Sequence, residues 1–209
     1  MSYIRGLVSL QCHLRDRGTK RGLDLRRWLA AVAIASRLLA VPDLCAQNSK
    51  PTDFQVKAAY LYNFGRFVEW PAQTAAISGD QFTVCVLGQD PFGPALDATL
   101  AGERIGGKRV VAKRISGPQE VGNCQILFLR LTEDDRVNKI IEAVDKKAVL
   151  TVSDMPQFVE RGGMIQFVLE GNRVRFEVNL TATQHSGLTL SSELLKVATA
   201  VRRDVSRGD

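Results

Sequence analysis

Three short apolar runs constrain this chain more than any other feature: Phe82–Leu87 (Phe-Thr-Val-Cys-Val-Leu), Gln125–Leu129 and Ala148–Val152. A brief, continuous apolar run bounded by turn residues fits a strand buried on both faces, as in a parallel sheet. The intervening segments supply the crossovers. Gly88-Gln89-Asp90-Pro91 reads as a turn into a short helix over Phe92–Leu100. Gly102–Gly107 is a second turn zone, Arg109–Ile115 alternates as a strand, and Gly117-Pro118 breaks it. Thr132 is placed to cap a helix through Val144, with Glu133, Asp134 and Asp135 in its first turn, where the helix dipole favours acids. Ser153 is placed to cap a brief helix to about Glu160. Strands alternating with helices imply βαβ units and a largely parallel sheet covered on both faces.

The flanks complete the pattern. Helix one starts at a Thr52 or Asp53 cap, and Phe54, Ala58, Leu61, Gly65 and Val68 give it one apolar face. Trp70-Pro71 ends it, because a residue before proline leaves the α region, and Gln73–Asp80 is loop. Met164–Leu169 and Arg173–Val178 flank Gly171-Asn172, a two-residue hairpin turn. A short helix over Thr181–His185 follows, and Ser191 or Ser192 caps a last helix, Glu193–Arg203. The hairpin makes the sheet mixed. The sequence shows no internal repeat, low-complexity tract or second domain.

Charge argues against a nucleic-acid partner. The net charge is +6, but residues 1–46 carry 8 Lys/Arg and 3 Asp/Glu, whereas residues 47–209 carry 20 and 19. The excess therefore sits in the leader, and the body lacks an electrostatic footprint for phosphate backbones. That leader reads as an export signal: Arg26-Arg27, a mostly apolar stretch from Trp28 to Leu44, then Leu44-Cys45-Ala46 as a small-residue cleavage site. The boundary falls at 46/47, with Gln47 as the mature start. The other reading is an uncleaved anchor, which Arg37 makes a poor spanning helix. Cys12 and Cys45 would leave with the leader, and Cys85 and Cys124 would remain. They are either a disulfide in an oxidising compartment or two buried free thiols. Closing a loop of about 40 residues would stabilise by roughly 3–4 kcal/mol.

Signals of catalysis are thin. Gly88-x-x-x-x-Gly93 follows a strand, but Pro94-Ala95 stands where a nucleotide loop carries Lys-Ser/Thr. Of two histidines, His13 lies in the leader, and His185 near a helix end reads as a capping or surface residue before it reads as a base. No GxSxG elbow, GxGxxG fingerprint or metal-ligand spacing of Cys and His occurs, so no catalytic residue, metal or cofactor is expected. The hairpin is more informative. Arg173, Arg175, Glu177 and Asn179 alternate with Val174, Phe176 and Val178. The polar face is either a solvated strand face or a recognition surface, since arginine offers planar, bidentate contacts. Arg66 could join it if helix one packs nearby. Tyr60, Tyr62, Phe64, Phe67 and Trp70 are too many rings for one helix face. Some must be buried elsewhere, lie at an interface or stay exposed: core packing is the default for Phe64 and Phe67, and an interface is the second option for Tyr62 or Trp70.

The stretch Lys57-Ala58-Ala59-Tyr60-Leu61-Tyr62-Asn63-Phe64-Gly65-Arg66-Phe67-Val68-Glu69-Trp70-Pro71 resembles the YfiR-like family. So do Val174–Asn179, Ser191-Ser192-Glu193-Leu194-Leu195, Val149–Asp154 with Gly162-Gly163, and Cys124 before its apolar strand. The resemblance covers about residues 53–203. It implies an exported protein with a single three-layer, Rossmann-like α/β domain over residues 47–209, and a tendency to self-associate as a homodimer. It further implies a non-enzymatic regulator that binds the periplasmic sensory domain of an inner-membrane diguanylate cyclase and holds it inactive, lowering cyclic-di-GMP. An outer-membrane lipoprotein can sequester such a regulator. Cys85 and Cys124 match the family's disulfide pair, while a second pair that many members carry is missing from the mature chain. The alternative function is a periplasmic small-molecule-binding sensor module, since an α/β sheet permits a pocket at its strand ends.

Overall fold

The computed structural model describes residues 51–71 and 79–203. The expected leader, with Cys12, His13 and Cys45, and most of the expected 73–80 loop lie outside the described residues.

Helix α1 (Asp53–Phe67) begins in a capping box: the Gln55 N–H donates to Thr52 Oγ1, and the Thr52 N–H donates back to Gln55 Oε1. Thr52 is therefore the cap. The helix ends three residues before Trp70, where Val68–Glu69 turns extended as β1. The chain continues through β2 (Gln81–Gly88), α2 (Pro94–Leu100), β3 (Arg104–Ile105), β4 (Lys108–Ile115), a 3-10 turn (Pro118–Asn123), β5 (Ile126–Arg130), α3 (Asp134–Val144) and β6 (Leu150–Ser153). It closes with β7 (Ile165–Glu170), β8 (Arg173–Asn179), α4 (Leu180–His185), β9 (Thr189–Leu190), α5 (Ser192–Val197) and β10 (Ala200–Arg202).

Eight strands form one sheet in the order β10-β8-β7-β6-β5-β2-β4-β3, and β1 and β9 form a separate antiparallel pair. The pairs β10–β8, β7–β6, β6–β5, β5–β2 and β2–β4 are parallel, whereas β8–β7 and β4–β3 are antiparallel. From β2 the chain steps one way to β4 through α2, then returns to the other side of β2 for β5 and on to β6 through α3. The two crossovers cover opposite faces. One core unites α1 and α2 with Val84, Val86, Ile126, Phe128, Phe167 and Phe176. The other unites α3 with Cys85, Leu87, Cys124, Leu127, Leu129 and Phe158. This is the expected three-layer, Rossmann-like arrangement with a mixed, largely parallel sheet and a C-terminal hairpin.

Three local expectations are corrected. Thr132 does not cap α3. Strand β5 runs to Arg130, the helix starts at Asp134, and Glu133 is an N-cap without a side-chain bond. Ser153 starts no helix, because its hydroxyl donates to the Leu129 carbonyl across the sheet (2.7 Å) and accepts the Met155 N–H (3.0 Å). The 154–162 segment turns instead, with Gln157 and Gly162 at φ 59° and 96°. The last helix stops at Val197 rather than Arg203. The Thr199 N–H donates to the Phe176 carbonyl (2.9 Å), and residues 200–202 add a strand along β8. An open strand edge satisfies those backbone groups better than another helical turn exposed to water would.

Candidate functional site

Strand β8 sorts its side chains by the two-residue period of a strand. Val174, Phe176 and Val178 are buried on the face that α1 covers, where Phe176 meets the rings of Tyr60 and Phe64 at 5.4 and 5.1 Å. Arg173, Arg175 and Glu177 therefore lie on the reverse face. Gly171 and Asn172 both hold positive φ, 53° and 60°, which the two-residue hairpin requires. Pairing with β6 ends at Gln166, and pairing with β10 starts at Glu177. The hairpin's outer part, residues 167–176, thus reaches past its neighbours, and Leu169 on it is 61% exposed. Arg173 is exposed and Arg175 half-buried. Among the described residues neither guanidinium has an ion pair or a hydrogen bond. Glu177 is met by Arg202 at 3.4 Å, and Arg202 also reaches Glu160 at 3.2 Å.

Two of the expected site residues stand apart. Asn179 is buried, and its side chain is turned inward: Oδ1 accepts the Ala182 N–H, capping α4, and Nδ2 donates to the Val159 carbonyl, each at 3.0 Å. Arg66 belongs to α1, so the sheet separates it from Arg173 and Arg175. Its guanidinium lies 5.9 Å from the ring centres of Tyr62 and Phe67 and beside a groove of about 310 Å³ between α1 and α5, lined by Tyr60, Asn63, Phe67, Leu194 and Val197. The helix periodicity alone could not reveal which sheet face α1 covers.

The rings divide differently from their default assignment. Phe64 is fully buried, but Phe67 is 37% exposed at the groove. Trp70 packs edge-on against Phe82 at 5.1 Å, and its buried indole N–H finds no acceptor among the described residues. Tyr62 is half-buried, and the Glu103 carboxylate bonded to its hydroxyl holds the phenol above its usual pKa.

The turn after β2 is closed on itself. Gly88 sits at φ 94°, and a Cβ there would strike the Arg130 carbonyl oxygen, so only glycine fits. Asp90 Oδ1 accepts the N–H groups of Phe92 (2.8 Å) and Gly93 (3.1 Å). Arg114 then bonds Asp90, Asp97 and the Gly93 carbonyl. These backbone donors are spent on the protein's own carboxylate, the tight-turn reading of Gly88-x-x-x-x-Gly93. The Arg114 bond also holds the Asp97 carboxyl below its ordinary pKa.

Cys85 and Cys124 form a disulfide, with Cα atoms 5.8 Å apart and both side chains buried against α3. At the amino ends of the parallel strands a cleft of about 350 Å³ is lined by Asp145, Thr151, Met164, Asn179 and His185, among others. At the opposite, carboxyl ends lies a group that sequence reasoning passed over. Lys57 Nζ is 2.8 Å from Asp154 Oδ2, and Arg130 Nη1 is 3.6 Å from the same oxygen. The available signal was a lysine inside the apolar face of α1 and an aspartate closing a buried strand. Among the described residues, no group of three or more His, Cys, Asp or Glu could hold a metal ion, and no helix is long and apolar enough to cross a membrane.

Residues 54–199 match a family model described as YfiR/HmsC-like. The chain belongs to that family. The match takes in α1 from its second residue, every strand of the eight-stranded sheet except β10, the hairpin and α5, so it spans well over half of the chain. Two solved structures also show similarity. A conserved domain protein from Vibrio cholerae O1 biovar El Tor matches with TM-score 0.40 and 14% identity, over 57% of this chain and 54% of that one. The ABC domain in complex with L-Trp from Streptococcus pneumoniae matches with TM-score 0.42 and 11% identity, over 58% of this chain and 55% of that one. The YfiR/HmsC-like chain thus spans about half the length of these structures, and no functional argument rests on them.

Proposed function

We propose that this protein is an exported regulator, not an enzyme, that binds the periplasmic sensory domain of an inner-membrane diguanylate cyclase and restrains it. Membership of the YfiR/HmsC-like family over residues 54–199 is the observation that carries the reading. The buried Cys85–Cys124 disulfide supports it, because such bonds persist in oxidising compartments. Residues 1–46 act as the cleaved export signal. A regulator that prefers the sensor's inactive conformation shifts that equilibrium by its differential affinity, and a preference of about 3 kcal/mol shifts it roughly 150-fold.

The β8 face is the contact surface in this reading. Arg173 and Arg175 present unspent guanidinium donors on a projecting hairpin, with Glu177 at the base, and Asn179 holds the strand end in place. Arg66 serves a separate contact at the α1–α5 groove, which also suits self-association. An outer-membrane lipoprotein that sequesters the regulator would relieve the restraint.

The deciding measurement is intracellular cyclic-di-GMP with and without the gene. Deletion should raise it, and the exported form, but not a leaderless form, should restore it. An unchanged level in the deletion strain under oxidising and reducing conditions would overturn the reading. Charge reversal, Arg175→Glu, should weaken binding to the cyclase domain with folding intact. Unchanged affinity would remove this face from the contact.

A further inference from the structure

The carboxyl-end cluster joins residues far apart in sequence. Lys57 comes from α1, Arg130 ends β5, and Asp154 follows β6. The side chains of Lys57 and Asp154 are 9% and 11% exposed, and that of Arg130 is 35% exposed. The Phe54 ring lies 5.2 Å from Lys57 Nζ and 5.8 Å from the Arg130 guanidinium carbon. Among the described residues Asp154 is the sole carboxylate within ion-pair distance of either cation, and the Arg130 guanidinium donates no hydrogen bond.

Pinning α1 to the sheet would need one cation on one carboxylate. A buried pair of that kind rarely adds stability over apolar side chains of the same size. Here a second cation converges on the same oxygen, which leaves a net positive charge. Arg130 contributes a planar fork of five donors, and among the described residues only Nη1 faces a carboxylate, Asp154 at the long distance of 3.6 Å. The amino end of α1 adds potential of the same sign. The location also matters. Arg130 pairs with Gly88 across β5 and β2, adjacent strands whose connections run toward opposite edges of the sheet, β2 to β4 and β5 to β6. That is the topological switch point, and open α/β sheets bind ligands in the crevice outside the carboxyl ends of their strands there. The adjacent Gly88–Gly93 turn cannot supply the donors, since Asp90 occupies its N–H groups.

We infer that this corner binds a small oxyanion, a carboxylate or phosphate group, in the fork of Arg130. Lys57 adds its charge from behind, and Asp154 fixes both cations in position. The inference is independent of the cyclase reading.

The test is calorimetric titration of the full chain with sodium phosphate and, separately, sodium succinate, at ionic strength held constant with sodium chloride. Saturable binding of at least one anion is expected, weakened about tenfold or more by Arg130→Gln, as loss of a charge-assisted pair requires. Arg130→Lys keeps the charge and should weaken it less, and the exposed control Arg136→Gln should leave it unchanged. Phosphate alone binding assigns the site to phosphoryl groups, and succinate alone assigns it to organic carboxylates. No saturable heat with either anion, or equal binding by Arg130→Gln and Arg130→Lys to that of the unaltered chain, overturns the inference.

Discussion

Against α1 the sheet packs rings, and against α3 it packs aliphatic side chains and a disulfide. On the α1 side Tyr60, Phe64, Phe167 and Phe176 touch one another, Trp70 meets Phe82, and Phe92 meets Phe54 and Phe128. On the α3 side the largest ring is Phe158 alone, among Val137, Ile140, Val144, Leu127 and Leu129. Ring clusters bury large areas and hold specific relative geometries. The branched side chains opposite hold less area each, and there Cys85–Cys124 ties β2 to the start of β5. One layer is secured by contact area, the other partly by a covalent limit on the unfolded chain.

That contrast can be broken from either side. Phe64→Ala removes the ring at the centre of the α1 cluster and should destabilise by roughly 3–5 kcal/mol, measured by urea unfolding. Removing the disulfide as Cys85→Ala/Cys124→Ala should lose roughly 2–4 kcal/mol. Because both sulfurs are buried, reductant should leave the native bond intact until the protein unfolds. Alkylation by iodoacetamide under native reducing conditions would show the opposite, a bond exposed to redox control. Helix starts sharpen the comparison further. Thr52→Ala breaks the α1 capping box and should lose about 1 kcal/mol. Glu133→Asp gives α3 the side-chain cap it lacks and should add a few tenths to about 1 kcal/mol.

The smallest effect concerns acid. The folded Asp97 carboxyl is depressed by Arg114, so its contribution is fully present above the unfolded value, near 3.9. That contribution fades as pH falls through the lower folded value. Both groups are substantially solvated, so Arg114→Met should lose no more than about 1 kcal/mol at neutral pH. The difference from the unaltered chain should shrink toward the acid end of a pH series, leaving only what the bond to the Gly93 carbonyl contributes. A difference that grows on acidification would give the bond the wrong sign.

The buried strands were legible because β2, β5 and β6 carry unbroken apolar runs, and the hairpin because Gly171-Asn172 punctuates two alternating segments. Strand β10 was not legible. Ala198 to Arg203 continues a helical composition, and only the open edge of β8 turns it into a strand. The candidate surface was legible in part. Alternation alone put Arg173, Arg175 and Glu177 on one face, but the same alternation gave no sign that Asn179 would be drawn inward to cap α4. It also could not say that α1 lies on the other side of the sheet from those arginines. Lys57, Arg130 and Asp154 went unread because each sits alone in its own segment, and only the three-dimensional crossover brings their charges to one oxygen.

The ring contacts of α1 also impose an order in time. Phe64 rests on Phe167 and Phe176, and β1 is held by β9, so these partners of α1 and β1 are made only after more than a hundred further residues. Contacts that distant in sequence form late and slowly. Until then α1 presents Tyr60 and Phe64 without the hairpin rings that pack on them, the condition that invites aggregation in a folding intermediate. Substitutions that slow the docking of the hairpin onto α1 therefore lengthen the time those rings stay uncovered.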